Sequence, residues 1–300
     1  MDRVLAATIN QISRDDRSGA AELAVTAVDA FLRWAAPVRH LSPVEILEAA
    51  RALSRAHTEM APLRRLSAEI AAASLANNPV PSLAQSLRRF KRVAATATNI
   101  ISARFLRLLP RRPIHVATYS FSSTAVSALI RARKRISLVY CSEGRPGNEG
   151  RTTATRLSRA GLRVVLLPDV VLLSQLPPVS HVIFGADSIL STGFFNKTGS
   201  SLLLRTGLAR GAKVWVLADS LKFFPYPPLF TPGLRTCKPN WRFWNRPPSR
   251  VHLLDQIHEL VPFHPGMRFL TERGLMTPAA VRRSLRYLRR NLPPLAVDTR

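Results

Sequence analysis

The sequence predicts an α/β protein in which a helical N-terminal domain, residues 1–110, precedes a parallel-sheet domain, residues 111–300. Three observations carry this. Apolar residues recur at helical spacing as far as Leu109, and past Pro110-Arg111-Arg112-Pro113 they gather into short continuous runs. Those runs alternate with helical patterns, which implies βαβ units. Four of the runs end in polar or acidic clusters, which is how open parallel sheets build sites at the carboxyl ends of their strands.

The N-terminal helices come first. Leu23, Ala27, Ala30, Phe31 and Trp34 share one helical face, and Pro37 ends that helix. Ser42-Pro43-Val44-Glu45 is a helix start, with Ser42 as N-cap and Glu45 closing a capping box; this helix is expected to reach Met60, before Pro62. A third helix is expected from Ser82, which follows Pro79 and Pro81, to Leu109. Beyond the boundary, strands are expected at Ile114–Thr118, Ile136–Tyr140, Arg163–Leu167, Val182–Phe184, Val214–Ala218 and Arg268–Leu270. Helices are expected at Thr124–Arg133, Thr152–Ala160 and Ser201–Arg210. The Pro- and aromatic-rich segment between Phe224 and Arg250 has no clear periodicity and is expected to lie as an ordered loop over a surface, such as a partner's, with Tyr226–Trp244 as the contact.

Composition narrows the class. An apolar fraction of 46% is that of a chain with a sizeable core. Two cysteines, Cys141 and Cys237, are too few for a disulfide framework. No run approaches the ~18 apolar residues of a membrane span. A soluble cytoplasmic protein with no membrane partner is expected. The formal charge is +26, and 38 of the 44 basic residues are arginine, which makes RNA a possible partner. The arginines read as scattered along the chain, with local clusters at Arg64–Arg65, Arg88–Arg92, Arg131–Arg135 and Arg282–Arg290.

The four strand-end clusters hold the chemistry. Thr118-Tyr119-Ser120-Phe121-Ser122-Ser123-Thr124 follows a strand and opens a helix, so free backbone N–H groups, the helix dipole and serine hydroxyls such as that of Ser122 make a phosphate cradle. Glu143-Gly144-Arg145-Pro146 and Glu149-Gly150-Arg151 offer Arg145 and Arg151 as bidentate phosphate ligands. Gly185-Ala186-Asp187 places an acid at a strand end for proton transfer, followed by Asn196 and Lys197 as a polar group and a point charge. Asp219-Ser220-Leu221-Lys222 supplies another lysine. Each cluster alone is an ordinary cap, turn or salt-bridge loop; four on one sheet edge point to a site. The seven histidines lack the spacing of ligands on one helix face, and no metal site is expected.

These ordered motifs resemble the initiation-factor-2B-related family. That family contains the alpha, beta and delta regulatory subunits of the eukaryotic translation-initiation exchange factor, and isomerases of methylthioribose-1-phosphate and ribose-1,5-bisphosphate. Val261-Pro262-Phe263, Leu270-Thr271-Glu272-Arg273-Gly274 and the start Ser18-Gly19-Ala20-Ala21 extend the likeness over nearly the whole chain. The resemblance implies a helical domain, a Rossmann-like domain, a phosphosugar cleft between them and homo-oligomeric assembly. Its enzymes convert an aldose phosphate to a ketose phosphate without a cofactor, using a cysteine in the first loop and the aspartate of Gly-Ala-Asp. Asp187 matches that aspartate, and Ser120 stands at the cysteine position. Asn196, Lys197 and Lys222 match ligand-holding positions, and Gly19 belongs to the N-terminal motif. Near it, Ser18 replaces an arginine, with Arg17 one residue away. Two readings follow: a ribose-phosphate-type aldose–ketose isomerase or a degenerate relative of one, and a non-catalytic, regulatory-subunit-like protein of translation initiation that binds a phosphorylated sugar or nucleotide.

Overall fold

A computed structural model gives the structure, described here over residues 2–15, 19–37, 41–57, 60–227, 235–236 and 243–293. The N-terminal part is helical: α1 (Arg3–Arg14), α2 (Ala20–Ala35), α3 (Pro43–Ala56), α4 (Ala61–Ser74) and α5 (Pro79–Leu108). The capping box of α3 forms, with Glu45 N–H donating to Ser42 Oγ at 3.2 Å and Ser42 N–H donating to Glu45 Oε2 at 3.0 Å. α3 stops at Ala56 instead of reaching Met60, because His57 turns out of the helix and its Nε2 lies 2.7 Å from the Ile12 carbonyl.

The sequence reading did not separate α4. Pro62 occupies its first turn, where a missing N–H costs nothing, so it starts a helix and does not end one. Every residue of α4 except Ala72 is buried, which erases the amphipathic stripe that marks a surface helix. Its charges are paired: Arg65 Nε lies 2.8 Å from Glu69 Oε1, and Glu69 Oε2 also accepts from Ser86 and Arg89. Burial pulls the Arg65 guanidinium below its usual range, and Glu69 opposes that. α5 likewise begins before the expected Ser82, with Asn78 as N-cap and Pro79 and Pro81 in its opening turn. It is about 45 Å long and joins the two halves of the chain. Leu83, Leu87 and Phe90 pack among the N-terminal helices, while Ala97, Ile101 and Phe105 pack on the sheet.

The second half alternates strands and helices. In chain order they are β1 (Ile114–Thr118), α6 (Ser123–Arg131), β2 (Ile136–Ser142), α7 (Glu149–Arg159), β3 (Val164–Leu167), α8 (Asp169–Ser174), β4 (His181–Phe184), β5 (Ser188–Ile189), β6 (Gly193–Lys197) and α9 (Ser200–Ala209). There follow β7 (Lys213–Leu217), β8 (Arg235–Thr236), β9 (Leu254–Asp255), β10 (His258–Pro262), β11 (Met267–Thr271), β12 (Gly274–Met276) and α10 (Pro278–Asn291). Among the described residues the main sheet has the order β12-β11-β7-β4-β1-β2-β3, parallel except for the β11–β12 hairpin. The inner strands β1, β4, β7 and β11 are largely buried on both faces, while the edge strands β3 and β12 are partly exposed. Ala97, Phe105, Ala125, Leu129 and Leu157 of α5–α7 cover one face, and Leu172, Leu203, Val281 and Leu285 of α8–α10 cover the other. From β1 the chain winds outward through β2 to β3 and then returns to the far side of β1 with β4. Between β1 and β4 the winding reverses, and open sheets leave a crevice at the carboxyl ends of such a pair.

A smaller antiparallel sheet, β10-β6-β5, lies beyond those ends. Asn196 and Lys197, for which the sequence reading gave no strand, are its strand residues, opposite Glu259 and His258. No helix among the described residues is long and apolar enough to cross a membrane. Most of the Tyr226–Trp244 segment, with Cys237, and the Arg17 and Ser18 positions lie outside the described residues.

Candidate functional site

The turns after β1, β2, β4 and β7 lie on one edge because these strands are parallel neighbours. Ser122 caps α6, its Oγ accepting from Ala125 N–H at 3.3 Å. Ser120, just before it, adopts φ 64°, a left-handed conformation that costs a non-glycine residue about 1–2 kcal/mol. Thr153 of α7 holds that turn by donating to the Ser120 carbonyl at 2.9 Å. The β4 turn comes against it: a Cβ on Gly185 would lie 2.4 Å from Ser122 Cβ and Oγ. The Gly-Ala-Asp turn and the serine turn therefore touch at the sheet's reversal point, and glycine is what lets them do so.

Asp187, two residues on, has a side chain 44% exposed, with His258 Nε2 3.8 Å from its Oδ2. Its backbone N–H donates to the Phe195 carbonyl of β6, which fixes it beside the smaller sheet. Lys197, at the end of β6, is 2% exposed by side chain, and its Nζ lies 3.0 Å from Glu149 Oε1 at the start of α7. Asn196 is buried and donates to Ser200 Oγ at 2.8 Å. Tyr119 Oη donates to the Thr198 carbonyl at 2.8 Å; burial, with Asp169, Glu259 and Glu149 near, pushes its phenol above the usual range.

Two of the N–H cradles on this edge are filled by the protein's own carboxylates. Asp169 accepts from Gly144 N–H at 2.9 Å and Arg145 N–H at 2.7 Å. Glu259 accepts from Gly199 N–H at 2.9 Å and Ser201 N–H at 2.8 Å, capping α9. Sequence reasoning singled out neither acid, nor His258, as a neighbour of these clusters; only register, with Glu259 opposite Asn196, shows the placement. Arg151 pairs with Glu143 at 3.2 Å, and the Arg145 side chain is exposed.

Lys222 follows the end of β7, the strand beside β4, and Gly19 opens α2. Asp219 is buried and caps a short turn, accepting from Leu221 N–H at 3.0 Å. Burial raises its carboxyl, with Lys222 opposing and Glu272 adding to the rise. With Ala21 and Ala24 of α2, Pro62, Phe90, and Ser123 and Thr124 of α6, Asp219 lines a cavity of about 20 Å³ between the helical part and the sheet. That space suits one water molecule and not a pentose phosphate. Gly19 is the exposed N-cap of α2, two residues from that lining. The structure thus links the turns of Ser120, Ser122 and Asp187 with Asn196 and Lys197 of β6. It buries Lys222 in the turn after β7, where the next residue, Phe223, bridges to Ile189 of β5. Gly19 stands two residues before the cavity-lining Ala21. Among the described residues no group of three His, Cys, Asp or Glu side chains is placed to hold a metal ion. Cys141 is buried in β2, which pushes its thiol up to about 12.

Comparison with known proteins adds the following. The sequence model of the Initiation factor 2 subunit family matches residues 16–278. A ribose 1,5-bisphosphate isomerase of Haloferax volcanii is 36% identical over 114 residues, which is 37% of this chain and 35% of that protein. The chain thus spans about a third of that relative's length. A Pyrococcus horikoshii OT3 structure titled translation initiation factor eIF-2B superposes with TM-score 0.77 at 22% identity, covering 93% of this chain and 98% of that one. The 5-methylthioribose 1-phosphate isomerase of the same organism gives TM-score 0.67 at 18% identity, covering 95% of this chain and 87% of that one. At such identities the structures establish the fold.

Proposed function

We propose that this chain, which belongs to the initiation factor 2 subunit family, binds a phosphorylated pentose at the carboxyl ends of β1 and β4. The observation that carries this is the contact between the Gly185 turn and Ser122 at the start of α6, two residues before the half-exposed Asp187. The α6 N-terminus and the Ser122 hydroxyl receive the phosphate, since the cradles at Gly144 and Gly199 already hold Asp169 and Glu259. Exposed Arg145 adds a fork-shaped donor from the β2 turn. Lys197 acts by holding Glu149, and so the start of α7, in place. In an aldose-to-ketose conversion a proton leaves C2 and one arrives at C1, and Asp187 is the group that carries it. His258 orients that carboxylate from β10.

A second reading rests on Ser120. A serine hydroxyl is a far weaker acid than a thiol of pKa about 8.5, and the buried Cys141 does not replace it. Binding without turnover, as in a regulatory subunit, is the form that fits this residue.

Incubation with ribose-1,5-bisphosphate and with methylthioribose-1-phosphate, followed by product detection, separates the two. At 100-fold excess over Kd a ligand adds about 2.7 kcal/mol, which for a chain of this size raises Tm by about 4 °C. Ketose product that disappears in Asp187→Asn supports the isomerase. Stabilisation without product, with turnover gained in Ser120→Cys, supports the regulatory form. Neither stabilisation nor product from either sugar refutes both.

A further inference from the structure

The edge of the sheet opposite the candidate site has its own chemistry. No aspartate or glutamate occurs between Glu69 and Glu143, a stretch that carries twelve arginines and lysines. The fold gathers the cations that read as scattered in the sequence. Parallel strands bring their amino ends to one edge, and the residues just before them are basic: Arg111 and Arg112 before β1, Arg133 and Lys134 before β2, Arg163 before β3, and Lys213 opening β7. All six are exposed. β1 and β2 start level, Ile114 opposite Ile136, while β3 starts opposite Val139 and β7 opposite His181. Among the described residues none of these six forms an ion pair with a carboxylate. Six acids of this half, Glu143, Glu149, Asp169, Asp187, Asp219 and Glu272, follow strand carboxyl ends, where Arg145, Arg151, Lys222 and Arg273 stand among them. The carboxyl-end edge therefore mixes both signs of charge, while the amino-end edge presents its cations without paired acids among the described residues.

We infer that this amino-end edge is a docking surface for the phosphodiester backbone of a nucleic acid duplex, read without regard to sequence. Five contiguous strands, β3-β2-β1-β4-β7, span about 19 Å at the usual strand spacing of about 4.8 Å. Each strand of a duplex carries a phosphate about every 3.4 Å of helix axis, so about half a dozen per strand fall within the length of the edge, and those turned toward it can be contacted. Arginine, whose fork matches phosphate oxygens, supplies four of the six cations. The turns at 107–113, 131–135, 159–163 and 210–213 contain no Phe, Tyr or Trp. Single-strand readers stack bases on aromatic side chains, and interfacial membrane binders insert them. An edge with cations and without aromatics fits a paired backbone instead.

The test uses the full chain and a fluorescein-labelled 20-base-pair DNA duplex, read by anisotropy across a salt series. The edge variant is Arg112→Glu, Arg133→Glu, Lys134→Glu. The control is Arg283→Glu, Arg286→Glu, Arg290→Glu on the exposed face of α10, which changes net charge equally. The expected result is salt-dependent binding that the edge variant weakens at least tenfold more than the control. Its log–log salt slope should also fall by about 2.7, at about 0.9 per lost phosphate contact. Equal losses in both variants would mean attraction to net charge alone and overturn the proposal. So would salt-independent or absent binding at low salt, or a labelled single strand bound more tightly than the duplex. Anionic vesicles that displace the duplex from the wild type but not from the edge variant would assign the surface to membranes and likewise overturn it. Pentose-phosphate binding is read separately and should be unchanged in both variants.

Discussion

Gly185→Ala tests the geometry on which the site depends. Gly185 does not need glycine for its backbone, since its φ lies outside the left-handed region, so the substitution acts through sterics alone. The new methyl would meet Ser122 Cβ and Oγ at 2.4 Å, about 1 Å inside ordinary van der Waals contact. Ser122 is tied into the first turn of α6, and Asp187, two residues after Gly185, is tied to Phe195, so neither turn gives way freely. Overpacking of this kind costs about 1–3 kcal/mol. For a chain this long, unfolding entropy near 2.1 cal/mol/K per residue converts that to a Tm lower by about 2–5 °C. The displaced serine turn should also weaken pentose-phosphate binding, about tenfold if 1.4 kcal/mol of the strain is relieved by separating the turns. Differential scanning calorimetry and isothermal titration give both numbers on one sample. Unchanged Tm and unchanged affinity would refute the claimed contact between the two turns.

Other perturbations address single parts. Glu69→Ala leaves Arg65 buried without its partner and should destabilise by about 3–5 kcal/mol, measured by urea denaturation. Glu259→Ala exposes the Gly199 and Ser201 N–H groups of α9 and should cost about 1–2 kcal/mol, read in the same assay. His181 is buried, which lowers its imidazole to about 4, while the unfolded chain protonates near 6.5. The unfolded state thus binds the extra proton between these values, so this contribution to stability is complete above pH about 6.5 and declines as pH falls toward 4. His181→Phe, which keeps the edge-on packing against Trp215, should flatten stability across that window. Cys141, with its thiol near 12, should resist iodoacetamide at pH 8 in the native protein and react on unfolding, as peptide mass spectrometry would report.

The sequence shows its layer plan where patterns are local. Strands buried on both faces read as apolar runs, and Ser42-Pro43-Val44-Glu45 signals its own capping box. α4 was missed because a helix buried on all sides has no polar face to set its period, and because Pro62 is equally a stop and a start. β6 was missed because Gly193-Phe194-Phe195-Asn196-Lys197 lacks β-branched residues and ends in turn-forming types. At the site, the strand-end clusters are legible one by one, while their couplings are not. Glu149 meets Lys197 across 48 residues and Glu259 meets Gly199 across 60. These contacts come from the winding order and from pairing register, which no local window contains. The closure of the space beside Asp219 to about 20 Å³ is likewise a product of how α2, α4 and α5 pack on the edge.

The most direct test of the pentose-phosphate claim is a crystal structure of the chain grown with ribose-1,5-bisphosphate. The expected result is one phosphate at the start of α6 beside Ser122, outside the small cavity behind it, with the sugar near Asp187. Ligand bound away from the β1 and β4 turns, or a site left empty at saturating ligand, would contradict it.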